Sequence, residues 1–126
     1  MEISEFKRVM FGLAREVDAS ICDVLVPDVV PNFIACNLRT TEFSIYVLCN
    51  EQSEWAFVSD YDPANHKLNF VDNELISLIL SNSFSIRVAS VEELGSPFVA
   101  RDKMLESDIK YWKPQTMGEA LFNWWD

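Results

Sequence analysis

Glycine is scarce in this sequence of 126 residues, which contains only three of them. The phosphate-binding loops of the common nucleotide-binding folds need glycines at fixed spacing, because the backbone must approach the phosphate closely. The scarcity of glycine therefore excludes these fingerprints. With only five prolines as well, the chain does not have the composition of a flexible linker.

Cysteine and histidine are also few. Cys22, Cys36 and Cys49 form no CxxC pair, and His66 is the sole histidine. Zinc sites prefer more thiolate or imidazole ligands than this, and a cysteine nucleophile needs a histidine partner that the sequence does not indicate. Cys36 and Cys49 lie in apolar runs, where a free thiol behaves as a small buried hydrophobe. The odd number of cysteines fits a reducing cytoplasm better than a disulfide-stabilised secreted protein.

Long apolar runs are missing as well. No window approaches the roughly 20 apolar residues of a membrane-spanning helix, and the amino terminus MEISEFKRVM has no apolar core like that of a signal peptide. Hydrophobic residues nevertheless make up 49% of the chain, and its length suffices for a core without metal or disulfide. The sequence thus predicts a soluble, cytoplasmic protein with a single globular domain over residues 1–126.

Positive charge is in short supply. Twenty acidic residues against ten basic ones give a net charge of −10, and residues 21–66 carry seven acids and one base, Arg39. A field of this sign repels phosphate backbones, so we expect no nucleic-acid binding. It attracts a basic partner protein, and a nuclease with a positively charged substrate cleft is one such partner. The alternative is that the acidity serves solubility alone.

The hydrophobic pattern predicts a single α+β domain with an antiparallel sheet of about five strands. The stretch ICDVLVPDVVP indicates an irregular or edge segment, because two prolines interrupt its β-branched residues. Within the run 42–49, Phe43, Ile45, Val47 and Cys49 alternate with more polar positions, which predicts a half-buried strand. Strands are predicted at 32–39, 42–49, 55–59, 68–71 and 85–89.

Helices are predicted at the amino terminus, in the middle and at the carboxy terminus. Ser4 is a candidate N-cap for a first helix to about Ala19, whose apolar residues recur at three- and four-residue spacing. Asp72 or Asn73 can cap a middle helix at 74–80, which is too apolar for an exposed surface. A further short helix is predicted at 101–105.

The carboxy-terminal stretch KPQTMGEALFNWWD has the spacing of a capping box, in which Thr116 and Glu119 satisfy each other's backbone N–H groups. Pro114 favours a clean entry into the helix, which we predict to run to about Trp124. Its apolar faces predict that Phe122 and Trp124 clamp the helix into the core. The alternative is that Trp124 or Trp125 projects as a binding anchor.

As a pattern, K-P-x-T-x-G-E-x-x-F-N-x-W-D resembles the tails of some immunity proteins of bacterial polymorphic toxin and contact-dependent growth inhibition systems. The resemblance covers about a tenth of the chain. It implies a cytoplasmic antitoxin that binds one toxin domain and blocks its active site, and it assigns no toxin-contacting residue. The matching positions are Lys113, Pro114, Thr116, Gly118, Glu119, Phe122, Asn123, Trp125 and Asp126.

One constellation in the acidic middle of the chain fits partner binding. Carboxylates flank two aromatic residues on adjoining turns and one strand, and an exposed aromatic ringed by carboxylates suits a basic partner. The alternative is that the tryptophan of this group faces the core. The predicted partner-binding residues are Glu51, Glu54, Trp55, Asp60, Tyr61 and Asp62.

The loop DYDPANHK contains the one cluster that could suggest a metal site. Its spacing D-x-D-x-x-N-H, from Asp60 to His66, lacks the glycine and the distal glutamate of a calcium-binding EF-hand loop. A polar hairpin loop explains these residues better. We therefore predict no catalytic residue, no metal and no cofactor. An adaptor domain with another partner, and a small metal-dependent enzyme that uses this loop, stay as alternatives.

Overall fold

The computed structural model describes residues 2–125. Its centre is a five-stranded sheet in which every strand pairs antiparallel with the next along the chain. The strands are β1 (Ser20–Leu25), β2 (Phe33–Arg39), β3 (Ser44–Asn50), β4 (Trp55–Val58) and β5 (Phe70–Val71). The helices are α1 (Ile3–Val17), α2 (Glu74–Phe84), α3 (Val91–Gly95), α4 (Glu106–Trp112) and α5 (Met117–Leu121). The predicted single-domain α+β class is confirmed.

The first face of the sheet is covered by α1 and α2. Alternate residues of the central strands point to this face, and among them Trp55 stacks on Phe6 of α1 with ring centroids 5.4 Å apart. Ile76 and Leu80 anchor α2 in the same core, and the side chain of Asn73 caps α2 by accepting from the Ile76 N–H. This face is apolar throughout its buried part.

The second face is covered in part by the chain that follows α2. Phe33, Leu48 and Val58 point to this side and pack against α3, α5 and Phe122. The prediction of a half-buried β3 is therefore wrong at the centre of the strand, because both of its faces are covered and Val47 and Leu48 are equally buried. Only the beginning of β3 keeps one side open.

The first helix begins and ends earlier than predicted. Glu2 occupies the N-cap without a side-chain hydrogen bond, so Ser4 lies inside the helix, and Asp18 ends it in a left-handed conformation. Apolar spacing defined the face of the helix but not its limits. Within residues 2–125, no helix is both long and apolar enough to cross a membrane.

The predicted strand at 85–89 is wrong. Ser85 adopts a left-handed conformation that ends α2, and Val88 alone bridges Trp55, in parallel orientation. The sheet still has five strands, because β1 forms in the stretch that was predicted to be irregular or an edge segment, and β1 lies at one edge of the sheet. The helix predicted at 101–105 is also wrong, because that segment contains turns and α4 begins only at Glu106.

The carboxy-terminal helix is shorter than predicted. The Thr116 hydroxyl accepts from the Glu119 N–H at 3.2 Å, as expected, but the Glu119 carboxylate accepts from the Gln115 N–H instead of that of Thr116. Helix α5 ends at Leu121, because the Leu121 carbonyl accepts hydrogen bonds from the side chains of Asn32 and Asn50. Asp126, the last position of the tail pattern, lies outside the described residues.

Candidate partner-binding surface

The six predicted partner-binding residues do not form one cluster. Glu51 and Glu54 belong to the turn before β4, whereas Asp60 follows the other end of that strand. Asp60 lies six positions after Glu54 along a nearly extended segment, which is roughly 20 Å at the rise of a strand. The Glu54 carboxylate also pairs with the Arg101 guanidinium at 2.6 Å, so its charge is already compensated.

Trp55 is not available as an anchor. Its side chain is only 2% exposed and lies in the core under α1, so the expectation of an exposed Trp55 is wrong. The physical reason is the pleat of β4, since Trp55 and Phe57 point to the first face while Ala56 and Val58 point to the second. Tyr61 lies on the second face, away from Trp55.

Asp60, Tyr61 and Asp62 lie at the open end of the second face, beside residues that were not predicted. The rings of Tyr61 and Tyr46 meet edge to face with centroids 5.8 Å apart, and both side chains are half-buried. Tyr46 of β3 pairs with Val58 of β4 in antiparallel orientation. If this register continues for two residues, Asp60 lies beside Ser44. These residues form one continuous surface at the end of the β3–β4 hairpin.

Strand β1 adds a further carboxylate to this surface. Asp23 lies in the irregular interval of β1 between Ile21 and Val24, which is opposite Asn37 of β2, and Asn37 pairs with Tyr46 of β3. Asn37 is buried and donates to the Ser44 hydroxyl and to the Ile45 carbonyl. We call this surface the tyrosine–carboxylate patch, and its members are Asp23, Tyr46, Asp60, Tyr61 and Asp62.

The two phenols of the patch stay neutral well above neutral pH. Burial raises the pKa of Tyr46, and the carboxylate of Asp23 raises it further, although Arg39 acts in the opposite direction. Burial and the Asp62 carboxylate likewise raise the pKa of Tyr61. Each phenol therefore offers an O–H donor in acidic surroundings, a combination that suits basic and polar groups of a partner.

The signal for Tyr46 and Ser44 was present in the sequence. The alternation in the run 42–49 already placed both residues on the side of β3 opposite Ile45 and Val47. Asp23 could not be found in this way, because its place depends on the pairing of β1 with β2, and that register is irregular between Ile21 and Val24.

The loop DYDPANHK folds as a polar hairpin loop. The Asp62 carboxylate accepts from the Ala64 N–H at 2.9 Å, and the Asn65 side chain accepts from the Lys67 N–H at 3.1 Å. His66 stacks on Trp124 with centroids 4.5 Å apart. No group of three or more histidine, cysteine or acidic side chains among residues 2–125 is placed to hold a metal ion.

The carboxy-terminal tryptophans contribute to a second surface. Phe122 is buried in the core, as predicted, whereas Trp124 and Trp125 are half-buried at the rim of an open groove of about 980 Å³. Trp124 packs edge to face on Phe33, and Trp125 lies parallel to Trp112 of α4. We call this cleft the carboxy-terminal groove; it is lined by residues from the segments 66–70, 91–95 and 112–125.

The core-closing role predicted for Phe122 is confirmed, whereas a role of Trp124 or Trp125 as a binding anchor stays a prediction. Phe122 and the helix before it close the core of the second face, while the two tryptophans keep part of their rings at the surface. Comparisons of the chain with protein-family models, with curated proteins and with solved structures give no match.

Proposed function

We propose that this protein is a non-catalytic immunity protein that acts in the cytoplasm. It binds a cationic toxin domain of a bacterial polymorphic toxin or contact-dependent growth inhibition system and blocks the active site of that domain. The single observation that carries the proposal is the tyrosine–carboxylate patch on the open end of the second face. The tail resemblance and the net charge of −10 point in the same direction.

The two tyrosines supply the anchor of this surface. Large aromatic side chains dominate the binding energy of protein interfaces, and they do so best where they are held rigidly and partly desolvated before the partner arrives. Tyr46 is fixed by its strand and by the edge of the Tyr61 ring, and Tyr61 packs in turn against Phe33. Little side-chain freedom remains to be lost when a partner covers them.

The carboxylates supply selectivity for a basic partner. The carboxylates of Asp23, Asp60 and Asp62 lie near the two tyrosines and raise their pKa values. The Arg39 guanidinium lowers the pKa of Tyr46. Complementary charge speeds encounter and suppresses acidic partners. A nuclease domain is one partner of this kind, because its cationic cleft must hold a phosphate backbone, and the carboxylates would stand where those phosphates lie.

The partner meets side chains of the sheet and not a free strand edge. Edge strand β1 has an irregular register between Ile21 and Val24 and exposes Asp23 in that interval, and edge strand β5 is two residues long. Bulges, edge charges and very short edge strands are the features by which proteins prevent strand addition. Face-on docking over Tyr46 is therefore favoured over β-augmentation.

Affinity capture is the first experiment. The tagged protein is purified from its native lysate at low salt, and co-purifying proteins are identified by mass spectrometry. We expect one basic toxin fragment, whose retention falls as salt is raised. A stable partner without toxic activity would instead identify an adaptor domain. Recovery of no partner, with tight divalent-metal binding by calorimetry, would favour the metal-dependent enzyme.

Charge reversal then tests the surface. Asp60→Lys and Asp62→Lys should each weaken the Kd for the captured toxin at least tenfold, and Tyr46→Ala should weaken it about thirtyfold, because hot-spot truncations cost about 2 kcal/mol or more. Glu51→Lys is the matched control, since Glu51 is exposed at the opposite end of the hairpin. Equal losses for Glu51→Lys and Asp60→Lys would refute the patch while leaving the antitoxin role intact.

A further inference from the structure

The carboxy-terminal groove combines flat aromatic faces with cationic side chains. His66 is parallel to Trp124 within 10°, and Trp112 is parallel to Trp125 within 2°. In each pair, one ring is followed directly in the sequence by a lysine: Lys67 follows His66, and Lys113 follows Trp112. Both lysines line the groove. We infer that the groove binds a planar aromatic anion, and that its ligand class is a nucleoside monophosphate.

Charge complementarity is the first argument for this ligand. In a chain of net charge −10, the described lining of the groove contains two lysines and a single acid, Glu119. The Glu119 carboxylate is engaged by the Gln115 N–H at 2.7 Å. Lys67 and Lys113 are exposed, and neither forms an ion pair with any residue of the described part of the chain. Their ammonium groups are therefore available to a phosphate.

The ring geometry is the second argument. The centroids of Trp112 and Trp125 are 6.2 Å apart, less than the roughly 7 Å that an inserted ring needs when each contact takes about 3.5 Å. A planar ligand consequently stacks on an outer face of a ring pair and not between its members. Stacking of a base on an aromatic side chain is a sequence-tolerant interaction, because every base has a π-face.

A mononucleotide fits this chain better than a nucleic acid. A polymer of phosphates would extend beyond the two lysines and meet the acidic remainder of the surface, which repels it. A single phosphate reaches only the groove, whose volume of about 980 Å³ lies in the range of small-ligand clefts. Glycine scarcity excludes a phosphate-binding loop, but stacking on tryptophan combined with lysine ammonium groups does not require one.

This inference is independent of the proposed function. The groove and the tyrosine–carboxylate patch share no member, although Tyr61 and Trp124 touch. A variant of either lysine therefore leaves the carboxylates of the patch in place, so toxin binding and nucleotide binding fail separately.

The experiment is a titration of the full chain with AMP at low ionic strength, followed by tryptophan fluorescence and by amide chemical shifts, with adenosine as the uncharged probe. We expect AMP to bind in a salt-dependent way and adenosine to bind about tenfold or more weakly. Shifts should concentrate in the segments 66–70 and 112–125. The fluorescence and the amide chemical shift of the buried Trp55 should not change.

Variants assign the contacts. Lys67→Ala and Lys113→Gly should each weaken AMP binding about tenfold, while Lys7→Ala, an exposed lysine on α1, should leave it unchanged. Lys113 has a left-handed backbone at φ 48°, so glycine removes the cation without lowering the melting temperature. Trp125→Leu should remove most of the fluorescence response and weaken binding.

The contrary outcomes are equally definite. The inference is overturned if AMP gives no saturable response up to millimolar concentration, or if adenosine binds as tightly as AMP. It is also overturned if an adenine oligonucleotide binds a hundredfold more tightly than AMP, because the site would then serve a nucleic acid.

Discussion

The two faces of the sheet are built in different ways. The first face is closed by two long helices, α1 and α2, through apolar side chains such as Phe6 and Ile76. The second face is closed by short helices and extended chain, and the three buried polar residues of the described range 2–125, Asn37, Asn50 and Asn123, lie on this side or beneath its cover. Both candidate binding surfaces belong to the second face.

The difference shows where a small domain can place binding surfaces. A helix that buries a continuous stripe leaves the sheet beneath it inaccessible, whereas a cover of irregular chain needs hydrogen bonds for its own backbone and leaves parts of the face open. The Leu121 carbonyl is held by the side chains of Asn32 and Asn50, whereas the open end lies at the other end of β3. The first face is thus fully closed by helices, and the proposed binding surfaces lie on the second.

The largest expected effect breaks the first face. Trp55→Ala removes a fully buried ring stacked on Phe6 and should lower the free energy of unfolding by about 3–5 kcal/mol. Trp125→Ala, on the half-buried ring of the groove, should cost under about 1 kcal/mol. Urea denaturation of both variants measures the contrast. Equal losses would mean that the tail is as firmly part of the core as β4.

The second effect distinguishes the two faces by the pH dependence of the free energy of unfolding. Burial raises the pKa of Cys36 and of Cys49 from 9.0 to about 12, and both thiols face α1 and α2. A raised pKa stabilises the fold fully below pH 9, and that stabilisation is lost as the pH rises toward 12. Each thiol should remove on the order of 1 kcal/mol of unfolding free energy between pH 8 and pH 10, and the two together about 2–3 kcal/mol.

Urea denaturation at pH 8 and pH 10 under reducing conditions checks this expectation. The double variant C36A/C49A should lose most of the alkaline decrease in stability. The decrease in unfolding free energy that remains at alkaline pH is expected from Tyr46 and Tyr61 on the second face, because burial raises their pKa values as well. An unchanged pH dependence in the double variant would place the alkaline sensitivity outside the first-face core.

The third effect loosens the second face alone. Asn50 is 2% exposed; its side chain donates to the Leu121 carbonyl at 2.7 Å and accepts from the N–H groups of Gln52 and Glu54. Asn50→Ala should cost about 2 kcal/mol, because it leaves buried polar groups without partners. Hydrogen exchange should accelerate first at residues 117–123. Faster exchange in α1 to the same degree would show that the two faces open together.

The sequence was sufficient for features whose cause is local. Alternation located β3, and the hydroxyl of Thr116 caps α5 as its spacing indicates. Ser90 and Glu93 form a capping box with the same spacing at the start of α3, a helix that was not predicted. These elements follow from neighbours two or three positions apart, so no tertiary knowledge is needed to place them.

Features with a distant cause could not be placed. Helix α5 ends at Leu121 because Asn32 and Asn50, at least 71 positions earlier, hold the Leu121 carbonyl. The separation of Glu54 from Asp60 likewise depends on β4 being a straight strand between two turns, whereas adjacency in the sequence favoured one cluster. The candidate surface was therefore predicted in part: Asp60, Tyr61 and Asp62 belong to it, the alternation in β3 indicated the side on which Tyr46 lies, and Asp23 emerges only from strand pairing.

The smallest effect compares two helix ends that share one backbone conformation. Ser85 ends α2 at φ 56° and Lys113 ends α4 at φ 48°, and glycine relieves this left-handed strain at either position. Helix α2 is anchored in the core by Ile76 and Leu80, whereas α4 buries no residue. Ser85→Gly should therefore stabilise the whole fold by about 0.5–1 kcal/mol, a rise of roughly 2–5 °C in Tm.

Lys113→Gly should shift Tm by less than about 1 °C, because a helix that has no buried residue opens locally before the domain unfolds. Calorimetry of the two variants decides the matter: a matching rise for Lys113→Gly would mean that α4 unfolds with the sheet and that the groove is as rigid as the first face.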